Sequence, residues 1–473
     1  MHRGQKYSIV VGISLILMSS FFVPIARTVE SQQPVSSNVS SQRIQTSQED
    51  STSIASCMTS GCHGSRNAEA PIWQRAGRIW FDDDPHAKAY THLLTESSLK
   101  IAERLLHRTF TSVNDETYRV FLEQRCVSCH ASAHGSRDQY LLGADCQVCH
   151  GPAKAWGDHH YSAEWRDKKE KRFDGTEMLN TENLASRAKV CTSCHVGNLK
   201  PEAVGREVDH DLMAAGHPPM HFELETYLRA YPAHWNSEQD AELFGKTVAR
   251  ERWEIGQLIH AQSRLELLAE RAKSAATTEA NGRVWPELTE YSCYGCHHSL
   301  VGPGWRQARP SRPLYDWDAW TLAGLKYAVP TAHQSELNQL VANLKAITDT
   351  QYASSNASGT QIAAENLLGF VNDRIRLRKS ENAPTIDQIK SDLQVLLQEE
   401  TGDKTWEAAT QWYCAMIAHL ASLSIDDKPK KNLSSTTTEQ IQVDFLNGPV
   451  TYHPRNLDSN RAHLQELLRK TQP

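Results

Sequence analysis

The sequence predicts a mainly α protein in two parts, a loop-rich part organised around cofactors and a helical bundle after it. Three observations carry this. Of 11 cysteines in 473 residues, ten lie between positions 57 and 296, in company with most of the 22 histidines. Beyond position 306, apolar residues recur instead at helical spacing. The apolar/polar alternation that marks strands is scarce everywhere.

The length allows two or three domains and a sizeable core. A net charge of −6 with no long single-sign run gives no basic surface for nucleic acid, so none is expected as a partner.

Residues 1–28 read as a signal peptide. Arg3 and Lys6 precede the apolar stretch "YSIVVGISLILMSSFFV", which is followed by "PIARTVES". No cysteine follows the stretch directly, which argues against a lipoprotein anchor. Cleavage near Ala26 would leave an exported, periplasmic protein. An uncleaved segment would act as an N-terminal anchor and provide the only membrane contact. Residues 29–56 are rich in Ser and Gln and poor in large apolar groups, so burial cannot offset their ordering entropy and a flexible linker is expected.

The next part, 57–305, repeats one phrase. Cys-x-x-Cys-His occurs at Cys126/Cys129/His130, Cys146/Cys149/His150, Cys191/Cys194/His195 and Cys293/Cys296/His297. Composition alone would give on the order of 0.01 such matches. A fifth site, "CMTSGCH", spaces Cys57 and Cys62 five apart before His63. The pattern fits covalent c-type haem attachment: two thiols form thioethers with the porphyrin vinyls, and the next imidazole reaches the iron. At the wider site, the two extra residues must loop outward to keep both sulfurs in place. Two other readings compete. Cys126, Cys129, Cys146 and Cys149 also have zinc-ribbon spacing, and an exported chain could pair its cysteines as disulfides. Neither explains a histidine after every second cysteine. Five haem c groups are therefore expected. The fold class becomes a loop-rich multihaem cytochrome c domain over 57–305, followed over 306–473 by a helical C-terminal domain without haem. Much of the first domain's core would be porphyrin.

Each iron needs a sixth ligand. With seven methionines and many histidines, bis-histidine ligation is expected. His86 in "DDDPHAKAY", His134 just past His130, His159 or His160 in "GDHHY", and His210, His217 or His221 in "VDHDLMAAGHPPMHFEL" are the candidates. Of these, His86, His134, His160, His210 and His217 are preferred. Gly216 and the prolines after His217 suggest a rigid, irregular mount. His92, His107, His234, His260, His333, His419, His453 and His463 read as ordinary, and Cys414 as a core thiol.

"CVSCH", "CQVCHGPAKAW" followed by "HHY", "CTSCH" and "DPHAKAY" resemble the multihaem cytochromes of the cytochrome c-554 family, across roughly residues 57–305. The resemblance implies a mostly helical domain with closely spaced haems. It also implies that His86 is a distal ligand and that His160, rather than His159, is another. This chain departs from it in having five sites, the first of them irregular.

In 306–473, three stripes predict helices: Leu337, Leu340, Val341, Leu344 and Ile347, N-capped by Ser335; Ile386, Ile389, Leu393, Leu396 and Leu397, opened by Pro384 and Thr385 and stopped by Gly402; and Trp406, Ala409, Tyr413, Ile417 and Leu420. The expected function is electron transfer between redox protein partners, soluble or membrane-bound. The alternative is a multihaem oxidoreductase acting on a small inorganic nitrogen or sulfur species at one open haem, with proton donors beside it. No Cys-x-x-Cys-Lys variant occurs. The C-terminal helices could add a docking role.

Overall fold

A computed structural model describes residues 54–132, 137–168, 173–199, 205–235, 247–276, 284–292, 317–348, 356–378, 384–398, 405–423 and 462. The expected signal peptide and nearly all of the linker lie outside these residues, as do His134, Gly402 and the motif at Cys293, Cys296 and His297. The described residues are helices and loops. Their only β pairings are two isolated bridges, Asn198 with Arg206 and Tyr291 with Trp317.

Local chemistry sets the helix starts. Asp115, Asp145, Asn183 and Asp209 each accept a backbone N–H in the first turn of the helices Glu116–Arg125, Cys146–His150, Leu184–His195 and His210–Ala215. Thr385 and Gln388 form a reciprocal cap on Ile386–Gln398, with Gln388 N–H to Thr385 Oγ1 at 3.2 Å and Thr385 N–H to Gln388 Oε1 at 2.7 Å. The predicted cap at Ser335 shifts: a 3-10 turn over Thr331–His333 leads directly into Gln334–Thr348, placing Ser335 inside the first turn. The buried face of the Trp406–Leu423 helix is rotated from the predicted stripe: Trp406 and Ala409 are buried with Trp412, Ala415, Met416 and His419, whereas Tyr413, Ile417 and Leu420 are half-buried.

One 29-residue helix, Val248–Ala276, organises the rest. It packs against Leu184–His195 and Leu224–Ala230 from the cysteine-rich part, and against Ala319–Ala328, Ala357–Arg378 and Trp406–Leu423 from the C-terminal part. A single apolar cluster joins Leu184, Ala188 and Phe222 to Leu337, Leu344 and Leu367. The expected separation into a haem domain and a separate bundle is therefore not visible among the described residues, because both parts bury their apolar faces on the same helix. Buried ion pairs add specific ties. Arg271 pairs with Glu207 at 2.9 Å and with Glu290, while Arg264 pairs with Asp318 at 2.5 Å. Trp317 Nε1–H donates to Glu290 at 3.0 Å. These bonds fix the chain leading into His210. Among the described residues, no helix is long and apolar enough to cross a membrane.

Candidate functional site: four facing histidine pairs

Each regular motif within the described residues is a turn of helix ending at its histidine: Val127–His130, Cys146–His150 and the last turn of Leu184–His195. Helical pitch puts cysteines three apart on the same face. At Cys126, the carbonyl accepts the N–H of His130 at 3.0 Å. The wider first motif restores the same bond, with His63 N–H donating to Cys57 O at 3.0 Å. Residues 59–61 between them are exposed, and Cys62 N–H is tied to Thr59 O at 3.0 Å.

Each of these four motif histidines faces another histidine. Ring centroids are 6.1 Å apart for His63 and His160, 6.5 Å for His130 and His217, 6.2 Å for His150 and His234, and 6.1 Å for His195 and His86. With a metal–nitrogen bond of about 2 Å on each side and roughly 1 Å from nitrogen to ring centre, two imidazoles on opposite sides of one ion stand with centres about 6 Å apart. All four pairs match this spacing.

The mounts are local. Nδ1 of His63 is 2.6 Å from Trp73 O, that of His160 2.7 Å from Gly157 O, that of His130 3.1 Å from Ala89 O and that of His217 2.8 Å from Pro218 O. A proton held at Nδ1 leaves the Nε2 lone pair for a metal. Arg104 Nη1 donates to Ala215 O at 2.7 Å, and Gly216 takes φ of 123°, bracing the turn into His217. His86 rides on a 3-10 turn, Pro85–Lys88, capped by Asp84. Its carbonyl accepts Ala144 N–H at 3.0 Å. Gly143, with φ of 63°, permits that approach, since a Cβ there would lie 2.2 Å from His86 O.

Every paired histidine except His160 lines one cavity of about 780 Å³, together with Cys126, Cys129, Cys149, Cys191 and Cys194. Burial pushes His150 and His195 down to about 4 and also lowers His130 and His234, so these imidazoles are neutral, the form that binds metal. The Nδ1 atoms of His150 and His234 are buried without a hydrogen-bond partner among the described residues. Burial raises the Cys126 and Cys146 thiols to about 12 and Cys191 to about 11. Cys129 and Cys194, from different motifs, are hydrogen-bonded to each other, which lowers Cys194 and raises Cys129. Arg206 bridges the second and fourth motifs, donating to Ser128 O and to Ser193 Oγ at 2.8 Å each. Cys146–His150 packs on Leu184–His195, and Cys57 is close enough to Cys146 to disfavour its thiolate. The motifs thus adjoin in the order first, third, fourth, second.

The zinc-ribbon alternative needs its cysteines to converge. Among the described residues, no three Cys, His, Asp or Glu side chains form such a group. The nine described cysteines, Cys414 included, form no disulfide with one another. Paired histidines around a cavity with thiols on its wall are the donor set that haem c requires, so the residues fit that group.

His234, which reads as ordinary in the sequence, stands opposite His150, because the fold brings it there from the segment after Leu224–Ala230. The one cue was its aromatic setting, "AYPAHW". His159 is exposed and His160 half-buried, which separates the two neighbours. His210 opens its own helix, its N–H donating to Glu287 Oε1 at 2.9 Å. His221 lines the cavity between Trp320 and Trp406, with ring centroids 5.0 and 5.2 Å away.

A family model, cytochrome c554 and c-prime, matches residues 61–151, a stretch that holds His86 and the second and third motifs. This indicates a related cytochrome fold for that part of the chain. Comparison with curated proteins and with solved structures gives no significant match.

Proposed function

We propose that this chain is an exported electron carrier holding five haem c groups, each closed by two histidines. The observation that carries the reading is the set of four facing imidazole pairs at 6.1 to 6.5 Å. Haem bound there supplies one-electron Fe(III)/Fe(II) chemistry. The pairs Cys57/Cys62, Cys126/Cys129, Cys146/Cys149 and Cys191/Cys194 would attach it, and His63/His160, His130/His217, His150/His234 and His195/His86 would ligate it. His134, His210 and His221 are the candidates left for the fifth motif at Cys293, Cys296 and His297. The protein's part is to present two neutral nitrogens from fixed mounts, so that neither oxidation state needs a new ligand. The first site reaches the surface, where Trp73 is 52% and Tyr161 67% exposed, and it suits exchange with a redox protein. The adjoining order of the cysteines supports a row of sites that hands electrons along.

An oxidoreductase needs an iron with an open position. The four described motifs are each faced by a second imidazole, which in this reading leaves the fifth as the place for such a site. The intact mass of the mature, denatured protein tests the proposal. Five covalently retained haems are expected, and a mass equal to the bare polypeptide overturns it.

A further inference from the structure

The four pairs differ in what holds the outward nitrogen of the imidazole. His63, His130, His160 and His217 lean on neutral carbonyls, whereas His86 leans on a carboxylate, with Nδ1 2.8 Å from Asp84 Oδ1. A carboxylate only accepts, so the shared proton is the histidine's. Asp84 is fully buried, at 0% exposure. Its Oδ1 also accepts the His86 backbone N–H at 2.9 Å, and its Oδ2 accepts the Tyr231 hydroxyl. Among the described residues, no lysine or arginine pairs with it. A buried anion without a cation is costly. A positive charge on the far side of His86 would offset that cost.

We infer that Asp84 is a positioning residue which, acting through His86, favours the oxidised state of a haem held by His86 and His195 and makes it the hardest of the four described sites to reduce. This rests on the haem reading above. A charged hydrogen-bond acceptor behind a ligating histidine fixes its tautomer and raises its basicity, and such bonding is one of the protein's levers on haem potential. The buried charge acts in the same direction. At the opposite extreme, the Nδ1 atoms of His150 and His234 have no partner among the described residues. Tyr231 shares out the Asp84 charge, and its ring stands 5.8 Å from His86 and 6.0 Å from His234, between the third and fourth sites. Were a haem held there, His86 and His195 would stay its ligands in both oxidation states, with the electron supplied by a donor protein and the proton kept on His86 Nδ1. The fourth site lies inside the row, so electrons would cross it without resting there.

The test is a redox titration of the holoprotein and its Asp84→Asn variant, followed by optical and electron paramagnetic resonance spectra. Asparagine can still accept from His86 but carries no charge. The expected result is that one haem's reduced-to-oxidised ratio at fixed potential rises about tenfold, equivalent to about 59 mV for one electron, while the others stay put. Tyr231→Phe, which frees the carboxylate to lean wholly on His86, should move the same haem the opposite way, and it decides the matter if the first variant does not mature. Unchanged potentials in a variant that keeps its full haem content and low-spin spectrum overturn the inference and leave the haem reading intact. A wild-type protein without low-spin signals overturns both.

Discussion

His234 stands opposite His150 with ring centroids 6.2 Å apart and planes at 70°. Both residues are half-buried, and both Nδ1 atoms are buried without a partner among the described residues. If the pair closes one iron, His234→Ala opens it. The variant should show a high-spin ferric component of about one iron per chain that converts to low spin on adding imidazole. An unchanged low-spin spectrum would assign the sixth ligand elsewhere.

Gly143 controls how His86 is seated. Alanine there would combine a strained φ with a Cβ 2.2 Å from the His86 carbonyl. Gly143→Ala should cost about 1–3 kcal/mol, read as a lower Tm, and should perturb the absorption of one haem. A variant with wild-type Tm and spectrum would show that the loop does not hold the ligand.

His260 is buried and uncharged, with Nε2 3.1 Å from Thr321 Oγ1. Burial pushes it down to about 4. Between that value and the ordinary histidine range, the unfolded chain binds a proton that the folded one does not, so stability falls as pH drops from about 6.5 towards 4. By about pH 5, this group alone costs on the order of 2 kcal/mol. His260→Gln should therefore lose less Tm than the wild type between about pH 7 and pH 5. Equal losses would mean that His260 is not held neutral.

Leu367 is fully buried in the cluster that also contains Leu184 and Phe222. Leu367→Ala should cost about 2–5 kcal/mol and lower the melting of helical circular dichroism and of the haem absorption together. Two separated transitions would show that the cysteine-rich and C-terminal parts stand independently.

Much of this was legible in the sequence, because the chemistry lies in short motifs and the helices in short periods. Cys-x-x-Cys-His marks attachment without any fold. Leu337, Leu344, Ile389 and Leu393 announced their buried faces. His86, His160 and His217, expected from their setting near motifs or by resemblance, each face a motif histidine. His234 faces one without being expected to, because nothing in a local pattern records which loop the fold folds back. The merging of the two parts was hidden for a similar reason. Val248–Ala276 is buried on most of its surface, so its sequence lacks a polar face that would show where one neighbour ends and another begins. Asp84 was visible only as one of three aspartates before Pro85, and its meaning comes from burial beside His86.

The most direct measurement is the low-temperature electron paramagnetic resonance spectrum of the oxidised protein, with spins counted per chain. Closed pairs at all four described motifs predict low-spin ferric signals from at least four irons, and no high-spin component exceeding the one site outside the described residues. High-spin iron amounting to two or more per chain, or no iron signal at all, would contradict the account.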